Sequence, residues 1–283
     1  MTIILKKLSK WYDEQLSDQQ QGFRRGRGTA EGIYLLKRLQ QISRNRRKSC
    51  YVLFVDLSAA FDHVNRQWMF KTISQRLSPN ENKTLFQLLE SIYRYTTTEL
   101  TDSKDDLFKI TTGVRQGGPE SPTLFNLFMD YIMRVFLYRA KIKGVKFTKM
   151  RYCIPGIATL PKKVFGLGNY GEFDFNWIGY ADDLVLAFDD LLSLEMGLEL
   201  LNYTLKEYGM NLNIDKTKTM VLNFQGETYP STLVNLDSQS IENVTVFQYL
   251  GSYIHREQTG TGDEELNLRI DSAETKFYSL GKN

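Results

Sequence analysis

Hydrophobic positions along this chain change their spacing several times, and each change marks an element. After Thr29 the apolar residues Ile33, Leu35, Leu36, Leu39 and Ile42 recur on one face, which predicts a helix. A helix from Ile3 to about Gln15 and a Gly/Arg-rich turn, Gly22 to Gly28, precede it. Cys50-Tyr51-Val52-Leu53-Phe54-Val55 is nearly unbroken, β-branched and aromatic, the mark of a buried strand. Helical patterning returns over Trp68–Leu77, with Asp62 as its cap, and over Glu81–Tyr95. Thr96–Leu100 and Leu107–Thr112 read as a hairpin around the polar Asp102-Ser103-Lys104-Asp105. Ser121-Pro122 opens the clearest helix, Ser suiting the N-cap and Pro the first helical position. Residues 140–176 are a spacer rich in Gly and basic residues, with a flap-like hairpin as one reading. Leu192–Tyr208 is an amphipathic helix ended at Gly209. Short strands close at Tyr249–Ile254, and a last helix begins near Asp263.

One polar break in this pattern carries chemistry. In Trp177-Ile178-Gly179-Tyr180-Ala181-Asp182-Asp183-Leu184-Val185-Leu186 two adjacent carboxylates interrupt two strand-like runs, which predicts a hairpin with acids at its tip. An ordinary polar turn also accommodates Asp-Asp, because Asp bonds its own backbone there. Acids flanked by core residues are costly unless they meet cations. Two divalent metals about 3.5–4 Å apart are the usual clamp for displacement at phosphorus. Asp56 supplies a third acid at the end of the buried strand, held rigidly yet open to a cleft; a cap of the next helix is the plainer alternative.

Composition adds limits. The 283 residues, 42% hydrophobic, can bury one large core or two lobes, and the net charge of +3 is only mildly basic. The basic residues are concentrated, however: Gly22 to Lys48 holds nine Lys/Arg and a single acid, Glu31, a phosphate-contact stretch or a solvated helix face. Cys50 and Cys153 are too few for a disulfide scaffold or zinc cluster and fit a reduced intracellular compartment. His63 and His255 lack ligand spacing. No apolar run is long enough to span a membrane.

Five segments, in order, resemble the motifs of reverse transcriptases. Val55-Asp56-Leu57-Ser58-Ala59-Ala60-Phe61-Asp62 is similar to the first palm motif, and Tyr180-Ala181-Asp182-Asp183 to the Tyr-x-Asp-Asp box. Gln116-Gly117-Gly118-Pro119-Glu120-Ser121-Pro122 resembles the Gln-Gly-x-x-x-Ser-Pro motif, with Gly118 and Glu120 departing from its usual residues. Gly209 to Thr219 resembles the next palm motif and Tyr249-Leu250-Gly251-Ser252 the primer-grip hairpin. Gln21-Gly22-Phe23-Arg24-Arg25-Gly26-Arg27-Gly28-Thr29 narrows the likeness to non-LTR, LINE-type retrotransposons, with group II intron maturases as more distant relatives.

The resemblance implies an α+β fold: a polymerase palm, its antiparallel sheet backed by helices, with partial helical fingers and a truncated thumb. Residues 1–254 would be the reverse transcriptase domain and 255–283 the start of a thumb or connecting helix. It implies an RNA-directed DNA polymerase that uses two Mg²⁺, with Mn²⁺ as substitute, an RNA template, a DNA primer and dNTPs. Asp56 and Asp182 would bridge the metals, with the Leu57 carbonyl assisting and Asp183 completing the set. Phe61 would exclude a 2′-hydroxyl, Gln116 and Gly117 would meet the nucleotide, and Lys216 (or Lys218) would protonate the leaving pyrophosphate. Arg24, Arg27 and Arg115 would contact template or primer phosphates. A further fingers segment, an endonuclease and a full thumb are expected elsewhere in a larger retroelement protein, and the nucleus is where such an element acts. The competing expectation is a catalytically silent reverse-transcriptase-like fragment that binds RNA or RNA–DNA duplex.

Overall fold

A computed structural model describes residues 11–76, 83–94, 97–100, 103–151, 172–222 and 229–256. Residues 11–15 are helical, and the named helices are α1 (Thr29–Arg46), α2 (Arg66–Ser74), α3 (Lys83–Arg94), α4 (Ser121–Lys143) and α5 (Leu191–Glu207). Six strands form the main sheet: β1 (Cys50–Val55), β6 (Trp177–Tyr180), β7 (Asp183–Phe188), β8 (Lys218–Leu222), β9 (Thr232–Leu236) and β10 (Gln239–Asn243), in the order β6-β7-β1-β8-β10-β9. Three hairpins stand apart: β2 (Thr97–Leu100) with β3 (Ser103–Lys109), β4 (Thr148–Arg151) with β5 (Glu172–Phe175), and β11 (Val246–Tyr249) with β12 (Ser252–His255).

The pairs at the centre of the sheet are antiparallel, as expected; β8 and β10 run parallel, which the sequence pattern did not indicate. The sheet is covered on both faces, which is why β1 reads as an unbroken apolar run. Leu53 and Val55 join the core made with α2, α3, α4 and α5, while Val52 and Phe54 join a second core made with α1 and the β11–β12 hairpin. Leu186 of β7 is fully buried in the first of these cores. Leu186→Ala is expected to lower unfolding free energy by about 2–5 kcal/mol, read by urea denaturation, because the rigid sheet cannot collapse around the cavity.

Element ends differ from expectation for local reasons. Asn65, not Asp62, caps α2, its side chain accepting from the Trp68 amide at 3.1 Å. Glu120 is the N-cap of α4; Ser121 is already helical and donates its hydroxyl to the Arg115 carbonyl at 2.5 Å. The second strand of the β2–β3 hairpin begins at Ser103, so Lys104 and Asp105 lie within a strand instead of a loop. Helix α4 runs into the supposed spacer as far as Lys143 and stops at Gly144, whose φ of +74° is the left-handed cap that glycine favours. The start of the first helix, residues 152–171 of the spacer, the helix after Asp263 and the thumb start from residue 257 onward lie outside the described residues.

Candidate active site

Strand register brings the acids together. β1 pairs with β7 in a register that ends with Val55 opposite Leu184, so Asp56 and Asp183 are the next residues at the adjoining ends of the two strands. Asp182 sits beside them in the two-residue turn that joins β6 to β7, where Tyr180 pairs with Asp183. Residues that stand far apart along the chain thus converge because β1 is the strand next to the hairpin.

A loop straps Asp56 in place from the other side. Its amide donates to the Thr217 hydroxyl at 3.3 Å, and its carbonyl accepts from the Asn213 amide at 2.9 Å. Leu57 bridges to Leu212, and the Ser58 amide donates to the Asn211 carbonyl at 2.9 Å. The segment that resembles the palm motif after the Asp-Asp box therefore buttresses the first acid.

The two carboxyls of the hairpin tip are both perturbed. Partial burial, with Asp56 adding its charge, raises the Asp182 carboxyl above the ordinary range. Asp183 is open to solvent as a residue, yet crowding by protein, then Asp182, then Asp56, pushes its carboxyl from 3.8 up to about 6. A raised carboxyl opposes folding once ionised, so its penalty is absent well below pH 4 and complete above about pH 6. Asp183→Asn is therefore expected to stabilise the metal-free protein at pH 7 by about 1 kcal/mol after allowance for solvent screening. Urea titrations at pH 4 and pH 7 check this: the gain should be present at pH 7 and nearly vanish at pH 4.

Excess negative charge on hard oxygen atoms at a cleft is a donor set suited to divalent cations. Among the described residues no three His, Cys, Asp or Glu side chains are gathered closely enough to cage an ion by themselves.

Asp56 and Asp183 open onto a cleft of about 380 Å³, lined also by Lys216, Lys218, Phe247 and Tyr249 among others. Lys216 is exposed there, whereas Lys218 is engaged by Glu242 at 2.8 Å and by the Asp215 carbonyl. Phe61 stacks on Phe125 of α4, ring centroids 4.3 Å apart and planes 13° from parallel. Gln116 donates to Asp62 at 3.1 Å, and the Val114 amide donates to the Phe61 carbonyl at 2.9 Å, so the Gln-Gly turn and Phe61 share a corner. Gly117 has φ of +73°, and no described residue comes within 4 Å of where its Cβ would stand, which leaves room for a ligand at its backbone.

The arginines divide. Arg24 is turned inward and donates to Asp13, to the Ser17 carbonyl at 2.8 Å and to the Gln20 carbonyl at 3.1 Å. Arg27 is likewise taken up by Asp18. Both are struts of the N-terminal segment; the density of positive charge in the sequence did not disclose that their partners are internal. Arg115 is half-exposed, its nearest carboxylate Glu120 at 3.9 Å.

Two residues of the site escaped sequence reasoning. Gln20 is fully buried against the Asp-Asp turn, yet it stands in the polar run Asp18-Gln19-Gln20-Gln21, which reads as solvated. Tyr249 has a buried hydroxyl with no hydrogen-bond partner among the described residues, and burial followed by the charge of Asp183 pushes it well above its usual range. Only its place in the primer-grip-like box hinted at a role.

Comparisons with known proteins show the family and the fold. A family model described as "Reverse transcriptase (RNA-dependent DNA polymerase)" matches residues 1–254. The Pol polyprotein of the type-1 retrotransposable element R2 of Nasonia vitripennis is 26% identical over 246 residues, 83% of this chain but 21% of that protein. The corresponding polyprotein of element R2DM of Drosophila melanogaster is 27% identical over 204 residues, covering 71% of this chain and 17% of its own length. The chain thus spans about a fifth of these relatives, and they bear out the likeness to non-LTR retrotransposons. Apo telomerase from Candida tropicalis superposes with a TM-score of 0.58 at 12% identity, over 90% of this chain and 39% of that one. Telomerase from Candida albicans, solved with a fragment of telomeric RNA, gives 0.56 at 13% identity, over 89% and 37%. At such identities the likeness is one of fold, and it bears out the α+β palm.

Proposed function

Since this chain belongs to the reverse transcriptase family, we propose that it performs RNA-templated transfer of dNMP to a primer 3′-hydroxyl, with Asp56, Asp182 and Asp183 holding two divalent cations. The observation that carries the reading is the strand register that brings Asp56 and Asp183 to adjoining ends of β1 and β7, where both line one cleft, with Asp182 next to Asp183 in the turn. The chemistry such ions supply when bound is activation of the primer 3′-hydroxyl and neutralisation of the triphosphate. The protein's own part is positioning. Asp56, strapped by Thr217 and Asn213, presents its carboxylate from a strand end, and the Leu57 carbonyl lies one residue on. The Phe61 ring, backed by Phe125, walls the sugar side and favours dNTPs over rNTPs, while Gln116 and the Gly117 backbone border the same corner. Lys216 projects into the cleft where the pyrophosphate would leave, placed to give up a proton. Arg115 remains a phosphate contact in this reading. The exposed Arg25 offers charge that Arg24 and Arg27 do not.

In the R2 relatives a chain of this kind is one part of a longer Pol polyprotein, so other segments of such a protein belong among the proposed partners. Among the described residues no helix is long and apolar enough to cross a membrane. The test is primer extension on an RNA template with Mg²⁺, supplying dNTPs and then rNTPs. Extension with dNTPs alone is the expected result. Salt-sensitive duplex binding without extension in either Mg²⁺ or Mn²⁺ would favour a binding module instead.

A further inference from the structure

The turn that carries Asp182 and Asp183 is not self-supporting. Ala181, its first central residue, has φ of +60°. A left-handed φ at that position normally calls for glycine, and in a residue with a Cβ it costs of order 1–3 kcal/mol unless the surroundings hold it. Among the described residues, the side chain that bonds both polar groups of Ala181 is Gln20. The Gln20 carboxamide oxygen accepts from the Ala181 amide at 3.1 Å, and its nitrogen donates to the Ala181 carbonyl at 3.3 Å. The same oxygen accepts from the Gly22 amide at 3.1 Å. Both polar groups of the strained residue are thus held by one amide that is wholly shielded from water.

The support is itself anchored. The backbone flanking Gln20 zips onto β6: the Gln21 amide donates to the Gly179 carbonyl at 2.7 Å, and the Gly179 amide donates to the Gln19 carbonyl at 3.0 Å. Asn126 of α4 donates to the Gly22 carbonyl at 2.6 Å, and Arg24 donates to the Gln20 carbonyl. Gly22 presses on the turn so closely that a Cβ there would meet the Ala181 nitrogen at 2.5 Å. A carboxamide carries a donor and an acceptor side by side, so one side chain can donate to the carbonyl and accept from the amide of the same residue. An ionised Glu would keep the acceptor, lose the donor and bring a third negative charge to the turn of Asp182 and Asp183.

We propose that Gln20 is a positioning residue for the site: its carboxamide locks the Ala181 peptide in the left-handed conformation that turns Asp182 and Asp183 toward Asp56. The proposal rests on the reading of those acids as cation ligands. Support at one remove from a metal site is typically worth about 10- to 100-fold in metal affinity or activity.

The experiment compares wild type, Gln20→Glu, Gln20→Leu and Gly22→Ala by three readouts. Amide hydrogen exchange at Ala181 should be slow in wild type and accelerated in the Gln20 variants, with protection of β1 and β8 retained. Mn²⁺ affinity, followed by electron paramagnetic resonance of the protein with duplex bound, should fall roughly 10- to 100-fold in all three variants. Primer extension should lose kcat by a similar factor, with duplex affinity unchanged. A support that served stability alone would lower Tm and leave Mn²⁺ affinity per folded molecule at the wild-type value; that result overturns the proposal, as does unchanged exchange at Ala181. Should the Gln20 variants fail to fold, Gly22→Ala, which displaces the turn from its other side, decides by the same Mn²⁺ comparison. If wild type binds Mn²⁺ but does not extend, the polymerase reading fails while exchange and Mn²⁺ affinity still judge Gln20.

Discussion

Asp56→Asn is expected to abolish RNA-templated extension, by about three orders of magnitude or more, while the protein stays folded and keeps its affinity for duplex. The scale follows from losing several kcal/mol of charge stabilisation in the transition state. The fold tolerates the change because the backbone of residue 56, not its carboxylate, makes the bonds to Thr217 and Asn213. Removing one carboxylate also relieves Asp182 and Asp183, whose carboxyls Asp56 helps to raise. The variant should therefore unfold at slightly higher denaturant than wild type at pH 7 when no metal is present. A drop in activity together with a gain in stability separates a functional acid from a helix cap, since loss of a cap costs about 1 kcal/mol.

Phe61→Val is expected to admit rNTPs, relaxing the preference for dNTPs by roughly 10- to 200-fold, the range for one small group fitting or not fitting a pocket. Phe61 lies parallel to Phe125 on the buried face of α4, so its ring position is fixed by packing that a substrate cannot push aside. The substitution forfeits that stacking, worth about 0.5–1.5 kcal/mol beyond area. Single-nucleotide incorporation with dNTP and rNTP, at a temperature well below the variant's Tm, measures the ratio. Equal discrimination in Phe61→Val and wild type would assign the ring to packing alone.

The strands and helices that build the palm were legible because period and length are local properties. Val52 and Phe54 point to one core and Leu53 and Val55 to the other, and a run buried on both faces announces itself. The acids were legible as breaks in such runs. Their convergence was not, since nothing local says that β1 lies beside β7; the resemblance supplied it and the register now gives its geometry. What stayed hidden depends on partners remote in sequence. Arg24 looks like a free cation until Asp13 and the carbonyls of Ser17 and Gln20 are seen around it. Gln20 looks like one of three solvated glutamines until the Ala181 peptide is seen in its grip. The parallel pairing of β10 with β8 is equally non-local. Helix starts missed by one to three residues, as at Asn65 and Glu120, belong to element ends, where local pattern defines the boundary least sharply.

The claim on which the rest depends is that Asp56, Asp182 and Asp183 act as one cation-binding set. Mn²⁺ titration followed by electron paramagnetic resonance, with RNA–DNA duplex and a dNTP present, reads it without requiring turnover. Wild type should sequester Mn²⁺, and Asp182→Asn should lose that binding while retaining the duplex. Equal Mn²⁺ binding by the two proteins would contradict the account.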